Sequence, residues 1–378
     1  MIPQDGGNDH EDTDMRNDDD DDTFLNLHEL VHEARLKLNQ FAWDYLVGGA
    51  ETETTLARNR AALDSVAFRN RVLVDVNDVD KTHDFFGHKI RLPVALAPVG
   101  SLETFEAGAG ATVGEAASRF NVPVIFSSVT KPGLEACAAA TSGPKIFQLY
   151  VRGDDDFISD HAKRAIDCGY DAFCITVDTA HYSRRERDIA KRFRKPWRFG
   201  NTGIEYQAGL NWRNVEIFKS RHPNIPLIIK GIATGEDAER CVSAGVDVVY
   251  VSNHGGRQLD HGRGSADVLP EVVSAVAGRA KVYVDGGFYR GADVLKGIAL
   301  GADLVVLGRL YVYGLAANGA DGVERVLEIL EDEMECTMAL MGITALKQLD
   351  RSYVHPAQPM VTPHVHSAFP HLRWDEGY

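Results

Sequence analysis

A closed (β/α)8 barrel, of the TIM type, is the fold class that three observations predict. Eight short β-rich runs recur along the chain: VALAPVG (94–100), VPVIFSS (122–128), KIFQLYV (145–151), AFCITVD (172–178), PLIIKG (226–231), VVYVSN (248–253), VYVDGG (282–287) and LVVLGR (304–309). They are near-continuous apolar stretches rather than alternating ones, as strands covered on both faces must be. Most begin about 22 to 34 residues apart, the length of one strand plus one crossover helix. Eight βα units in series close into a barrel. A doubly wound open sheet is the other topology compatible with the pattern.

Taken in order, the chain opens with a segment that cannot fold alone. Residues 1–23 hold ten acidic side chains and one arginine, so −9 of the total −15 sits there. Such a segment repels itself and buries nothing, which predicts a disordered acidic tail ahead of one domain over residues 24–378. Residues 24–93 read as a helical preamble with an amphipathic helix from Leu27 to Leu46. Between the apolar runs lie helical stretches such as Gly235–Ala244 and Tyr289–Leu300. Three runs share a lead-in, CGYD, AGVD and LGAD, which pairs a helix-ending glycine with an aspartate entering the strand. The connection after the fourth run, residues 179–225, is far longer than the others. It contains KRFRKPWRFGNTGIEYQAGLNW, with Phe193, Trp197 and Phe199 among cations; lacking a sustained apolar run, it predicts a mobile lid over the barrel mouth rather than the alternative, a membrane contact.

Composition excludes several function classes. The body carries only −6, with no concentrated basic face for nucleic acid. No apolar stretch reaches 18 residues and no signal-peptide pattern opens the chain, so no membrane span is expected. The five cysteines are scattered without a CxxC and read as reduced thiols; the C-terminal DEGY is no peroxisomal address. The cytoplasm is the expected compartment.

In a (β/α)8 barrel, chemistry sits where strands end. These ends are polar throughout: Pro98-Val99-Gly100, Ser127-Ser128, Gln148 and Tyr150, Thr176 and Asp178, Lys230, His254 and Arg257, Asp285-Gly286-Gly287, and Gly308-Arg309. Lys230 follows three aliphatic residues, a costly place for an ammonium without a partner. It fits either a Schiff-base nucleophile, as in an aldolase, or a fixed cation beside a cofactor that gains negative charge, as a flavin does. Glycines and arginine at the seventh and eighth strand ends match the usual phosphate cradle of such barrels. In SNHGGRQLD (252–260), the glycines allow a sharp turn that aims His254 and Arg257 at the mouth. Imidazole moves protons near neutrality, and guanidinium grips a carboxylate with two hydrogen bonds. The pair suits a small acid whose reacting carbon adjoins its carboxylate. A rival motif, His28-Glu29-Leu-Val-His32, fits HExxH of zinc peptidases, but the sequence that follows supplies no third ligand. No metal is expected.

These residues resemble the signature of the FMN-dependent 2-hydroxy acid dehydrogenases and oxidases, which include glycolate and lactate oxidases, mandelate dehydrogenase and the flavin domain of flavocytochrome b2. The resemblance runs from about residue 27 to 353, through WDYLVGGAETETTLARN, FQLYV, TVDT, RRERD, IIKGI, SNHGGRQLD, DGGFYRG and LGR in that order. It implies FMN as cofactor and oxidation of an (S)-2-hydroxy acid to the 2-oxo acid. His254 is similar to the family's base, Asp178 to the carboxylate that orients it, and Tyr150 to the tyrosine at the substrate hydroxyl. Tyr45 and Arg257 resemble the carboxylate grip, and Arg185 a further arginine on the substrate side. Lys230 resembles the lysine at the flavin N1–O2 edge. Ser127, Gln148, Thr176 and Ser252 match flavin contacts, as do the backbone positions Pro98, Val99 and Gly100. Asp285, Gly286, Gly287, Arg290, Gly308 and Arg309 match the ribityl and phosphate site. The resemblance leaves open whether His254 takes the hydroxyl proton or the α-proton, and whether oxygen or another acceptor reoxidises the flavin. It also implies a homo-oligomer, a tetramer by family analogy, and no built-in haem domain is expected.

The sequence departs from the family at four places. Tyr289-Arg290 stands where two arginines are common, TFEAGAG replaces a His-Pro-Asp/Glu-Gly, Gly100 replaces an alanine, and Val129 lies where glycolate oxidases carry tryptophan. The last two predict a pocket for a substrate bulkier than glycolate.

Overall fold

The computed structural model describes residues 24–192 and 203–372. The acidic tail, and Phe193, Trp197 and Phe199 of the long connection, lie outside the described residues.

The preamble forms three helices, α1 (Leu27–Lys37), α2 (Gln40–Val47) and α3 (Thr54–Asp64). The sequence predicts one helix across Leu27–Leu46; the structure breaks it at Leu38-Asn39. There Asn39 turns extended and its side chain caps α2, accepting from the Ala42 N–H at 3.0 Å. After α3 come the short strands β1 (Val66–Phe68), β2 (His83–Phe85) and β3 (His88–Ile90). β2 and β3 form a hairpin, and β1 pairs antiparallel with β12 (Val354–Pro356) near the C-terminus.

Eight parallel strands then close the barrel: β4 (Val94–Leu96), β5 (Val124–Ser127), β6 (Lys145–Leu149), β7 (Ala172–Thr176), β8 (Leu227–Ile232), β9 (Val248–Val251), β10 (Lys281–Val284) and β11 (Leu304–Leu307). Each pairs with its sequence neighbour, and β11 closes onto β4. Nearly every strand residue is buried, because barrel side chains fill the interior or pack on the outer helices. Each fully buried Val, Ile or Leu contributes roughly 1.5–3 kcal/mol, so the β-branched runs supply both the strand geometry and the stabilising burial.

Register places the polar strand ends side by side. Ser127 of β5 pairs with Gln148 of β6, and Thr176 of β7 pairs with Lys230 of β8. The β8–β9 register shifts between Lys230 and Ile232. The intervening Gly231 has φ +116°, and a Cβ there would stand 2.7 Å from that of Asp178. That irregularity lets the Asp178 loop fold down against β8. A helix over Arg309–Leu340, broken at Asn318-Gly319, runs from the last strand and packs on α1.

Candidate active site

The turn after β9 carries the densest chemistry. His254, Gly255 and Gly256 take φ of +59°, +62° and +74° in succession. A left-handed histidine is strained, and such strain persists only where surroundings hold it. Three hydrogen bonds do so: the His254 N–H donates to Ser252 Oγ at 3.1 Å, and the Gly256 N–H donates to Asn253 O at 3.1 Å and Oδ1 at 3.0 Å.

The turn aims the imidazole between two partners. His254 Nδ1 lies 3.0 Å from Asp178 Oδ1 and 3.2 Å from Oδ2, and Nε2 lies 3.2 Å from the Tyr150 hydroxyl. A carboxylate accepts only, so Nδ1 carries the proton and Nε2 presents a lone pair. Burial lowers the His254 pKa, with Asp178 opposing and Lys230 assisting. Burial alone would raise Asp178, but the charges of His254 and Lys230 and the His254 hydrogen bond leave its pKa below the ordinary value. Burial pushes the Tyr150 phenol well up, so it stays protonated.

Lys230 sits in a closed network. Its Nζ donates to Ser252 Oγ at 2.8 Å and lies 3.6 Å from Asp285 Oδ2. Ser252 Oγ donates to Asp285 Oδ1 at 2.7 Å, and the Tyr250 hydroxyl donates to Oδ2 at 2.9 Å. Burial would lower the lysine pKa, but Asp285 and Asp178 raise it. The ammonium therefore stays charged, the opposite of what Schiff-base formation needs, and the aldolase alternative is not favoured. Tyr250, invisible in the sequence as anything but core, completes this network.

Arg257 donates through Nη1 to Gly48 O at 2.7 Å and lies over the Tyr45 ring at 5.0 Å. The Tyr45 hydroxyl donates to Gly100 O at 3.2 Å, and its ring stacks on Phe105. Arg185 donates to the carbonyl oxygen of Arg257 at 3.3 Å. Burial, and the nearby charges of Arg185 and Arg309, push the Arg257 pKa down. Guanidinium stays ionised in proteins, so the physical content is a positive potential that an anion would relieve.

His254, Lys230, Arg257, Tyr45, Tyr150 and Arg185 line an open cleft at the strand ends. Its lining also includes the strand-end glycines Gly286, Gly287 and Gly308. Thr176, in register with the cleft-lining Lys230, has a buried Oγ1 with no hydrogen-bond partner among the described residues, and so do the buried Nε2 and Oε1 of Gln148. Orphaned buried amides and hydroxyls are costly. Together with the cationic Lys230 they fit the polar edge of a planar heterocycle, so the residues present fit FMN. Ser127 Oγ accepts a long bond of 3.4 Å from the Val129 N–H.

The phosphate end differs from expectation in one residue. Arg290 does not line the cleft; its guanidinium pairs with Glu333 of the long C-terminal helix, and the adjacent Tyr289 lines the cleft instead. Arg309 lines it, while donating to the carbonyls of Leu46, Gly48 and Gly255 at 3.0, 2.8 and 3.0 Å. Beyond Tyr250 and Tyr289, sequence reading also missed Phe105, Arg152 and Gln207 on the cleft wall. Their letters carry no motif, and only the closed barrel brings them to the mouth.

The zinc motif resolves into a helix terminus. Glu29 spends its carboxylate on the Leu25 N–H and the Asn26 amide, each at 2.8 Å, and His28 packs against Phe369. Burial lowers the His28 pKa to about 4. Among the described residues no cluster of three metal-ligating side chains forms, and the peptidase alternative is not favoured. Among the described residues, too, no helix is long and apolar enough to cross a membrane.

Known proteins resemble this chain in sequence and in fold. A family model described as FMN-dependent dehydrogenase matches residues 34–356. The chain is 36% identical over 352 residues to the peroxisomal (S)-2-hydroxyacid oxidase GLO3 of Arabidopsis thaliana, covering 88% of this chain and 97% of that one. It is 37% identical to glycolate oxidase of Spinacia oleracea and 36% identical to L-lactate oxidase of a Nostoc strain, covering 88% of this chain and 95% and 98% of theirs. Among solved structures, mandelate oxidase with (S)-2-phenylpropionate superposes with a TM-score of 0.83 at 38% identity, over 89% of this chain and all (100%) of that one. A variant of that enzyme holding an FMN adduct superposes with a TM-score of 0.81, at 38% identity and over 88% of this chain and 100% of that one. The chain belongs to the FMN-dependent dehydrogenase family and is an oxidoreductase with FMN as its cofactor.

Proposed function

We propose that the chain oxidises an (S)-2-hydroxy acid to the 2-oxo acid through His254, and that dioxygen is the final acceptor and leaves as hydrogen peroxide. The observation that carries this reading is the series Asp178–His254–Tyr150, hydrogen-bonded on both ring nitrogens beside Arg257. Arg257 and Tyr45 grip the substrate carboxylate, with Arg185 behind them adding positive potential. His254, neutral near pH 7 because burial lowers its pKa, takes a proton from the substrate at Nε2. Asp178 holds the ring in place and steadies the imidazolium that results. Tyr150 keeps its proton and donates to the substrate oxygen. When bound, FMN would supply the acceptor for the hydrogen and electron pair that leave the α-carbon.

The remaining residues hold the cofactor. Lys230 supplies a fixed positive charge, offsetting the negative charge gained on reduction. Gln148, Thr176 and Ser127 satisfy ring edges, Ser252 positions Lys230, and Pro98, Val99 and Gly100 form the backbone wall. Asp285, Gly286 and Gly287, with Gly308 and Arg309, hold the ribityl chain and phosphate.

The substrate in this proposal is larger than glycolate. Its support is a wall of Gly100, Val129 and Phe105 without a large aromatic at position 129. The five free thiols support a reducing compartment, the cytoplasm. A homo-oligomer is part of the proposal; the exposed Val72, Leu73 and Leu340 offer apolar surface for one.

The test is anaerobic. The yellow holoprotein is mixed with glycolate, lactate, 2-hydroxyoctanoate or mandelate and its colour followed, then the same acids are turned over in air with peroxide measured. Bleaching by the larger acids with stoichiometric peroxide is expected. No bleaching by any of them, or fastest turnover on glycolate, contradicts the proposal or its substrate clause respectively.

A further inference from the structure

The preamble helix α3 reaches both halves of the cleft through one side chain. Asn59 is fully buried on α3. Its Nδ2 donates to Asn253 Oδ1 at 3.0 Å, and its Oδ1 accepts from Asn253 Nδ2 at 2.7 Å, a reciprocal amide pair. Asn253 Oδ1 is the atom that also accepts from the Gly256 N–H, so this pair grips the turn that carries His254. Asn59 Oδ1 accepts as well from the Ser265 N–H at 3.0 Å, the first residue of the next barrel helix.

The same helix presses on the phosphate end. A Cβ at Gly286 would stand 3.1 Å from Asn59 Oδ1, and one at Gly287 would stand 3.1 Å from Asn59 Cβ. The neighbouring Arg60 donates to Gly287 O at 2.9 Å and forms a buried two-pronged pair with Asp293 at 2.7 and 2.8 Å. Asp293 in turn accepts from the Tyr289 and Arg290 N–H groups at 3.0 and 3.1 Å. At its N-terminus α3 is tied to the end of SNHGGRQLD: Asp260 accepts from the Thr52 N–H at 3.0 Å, its hydroxyl at 2.6 Å and the Thr55 N–H at 2.8 Å. α3 is thus fastened to the His254 turn at two points and backs the Gly286-Gly287 turn between them.

We propose that Asn59 is a positioning residue that sets the His254 turn and the Gly286-Gly287 turn together, so that FMN affinity and turnover depend on one amide outside the barrel. It is not among the residues that line the cleft. A buried amide with both its donor and its acceptor engaged has one rotamer that satisfies its partners, and that fixes the separation of the two turns. Arg257 is anchored separately, to Gly48 O, so loss of Asn59 moves the proton acceptor more than the carboxylate grip. The turnover arm rests on His254 as proton acceptor; the FMN-affinity arm does not.

The test compares Asn59→Leu, Asn59→Asp, Asn253→Ala and Leu63→Ala in the full chain. Leu63 is a fully buried apolar residue of the same helix and controls for loss of stability. Asn59→Leu leaves buried partners unsatisfied and is expected to weaken FMN binding and lower kcat, each on the order of ten- to a hundredfold, with a smaller change in KM. Asn59→Asp keeps the acceptor and is expected to recover FMN affinity but not full kcat. Asn253→Ala is expected to lower kcat while leaving FMN affinity near that of the parent, and adding Asn59→Leu to it should lower kcat no further. Leu63→Ala should lower the melting temperature without moving FMN affinity or kcat. The inference is overturned if Asn59→Leu changes stability alone, or if Leu63→Ala reproduces its effects on FMN and kcat. Full activity in His254→Gln would refute the reading of His254 and leave the FMN-affinity arm standing.

Discussion

His254 Nδ1 and Asp178 Oδ1 stand 3.0 Å apart, and this separation fixes which face of the imidazole meets the cleft. With the proton held on the Asp178 side, Nε2 is the basic atom, and it points where Tyr150 and Arg257 converge. Fold and chemistry meet here: the Gly231 irregularity in β8 lets Asp178 approach, and the left-handed turn after β9 swings His254 towards it.

Replacing Asp178 tests that coupling. Asp178→Asn is expected to lower kcat by about a hundred- to ten-thousandfold, since the imidazolium loses its counter-charge. Reduction of the bound flavin by stopped-flow absorbance checks it.

The pH dependence has a defined sign. Burial holds the His254 pKa below the ordinary histidine value, while Asp178 opposes the shift. The neutral ring is the reactive form, so kcat/KM should rise with pH on the acid side and level off below the ordinary histidine range. In Asp178→Asn the opposing charge is gone and the acid limb should move to lower pH. A limb that moves upward contradicts the assignment.

Lys230 is expected to act on the potential. Asp285 and Asp178 keep it cationic against burial. Lys230→Met should lower the two-electron potential of bound FMN by about 30–60 mV, the equivalent of one lost charge-assisted hydrogen bond. Dye-equilibrated titration reads this directly.

Gly100 and Val129 form a coupled pair. A Cβ at position 100 would stand 2.7 Å from Val129 Cγ2. Gly100→Ala alone should therefore destabilise the fold by about 1–3 kcal/mol, and Val129→Ala in the same chain should recover part of that loss. Val129→Trp should shift preference from larger acids towards glycolate, read as a ratio of kcat/KM values.

The Arg60–Asp293 pair makes a stability prediction. Burial would raise the Asp293 pKa, but Arg60 holds it below the ordinary carboxylate value. Its contribution is present above the unfolded-state carboxylate pKa and is lost as pH falls through the lower folded value. Asp293→Asn leaves a buried guanidinium without its main counter-charge and should cost about 3–5 kcal/mol near neutrality, with a smaller difference from the parent chain in strong acid. Urea unfolding at two pH values checks both.

The barrel was legible because its strands are buried on both faces and so spell near-continuous apolar runs. The strand-end chemistry was legible because Lys230, His254 and Arg257 are expensive exceptions to that pattern. The break between α1 and α2 was not, because Asn39 sits inside an apolar periodicity and only its side-chain hydrogen bond reveals a cap. The role of Asn59 was equally hidden: it closes the stretch WDYLVGGAETETTLARN, but a buried amide on a helix is spelled the same as a solvated one. Arg290 and Tyr289 are adjacent letters whose directions differ. Glu333, more than forty residues away in sequence, captures the arginine and leaves the tyrosine to the cleft. Such captures are decided by tertiary packing.

The central claim is that His254 takes a proton from a 2-hydroxy acid held by Arg257 against bound FMN. Its most direct test is the anaerobic rate at which an (S)-2-hydroxy acid bleaches the holoprotein, compared with His254→Gln at equal FMN content. The expected result is rapid bleaching of the parent chain and a rate lower by about a hundred- to ten-thousandfold in the variant, with FMN affinity unchanged. Equal bleaching rates in the two, or a purified chain that takes up no FMN, would contradict it.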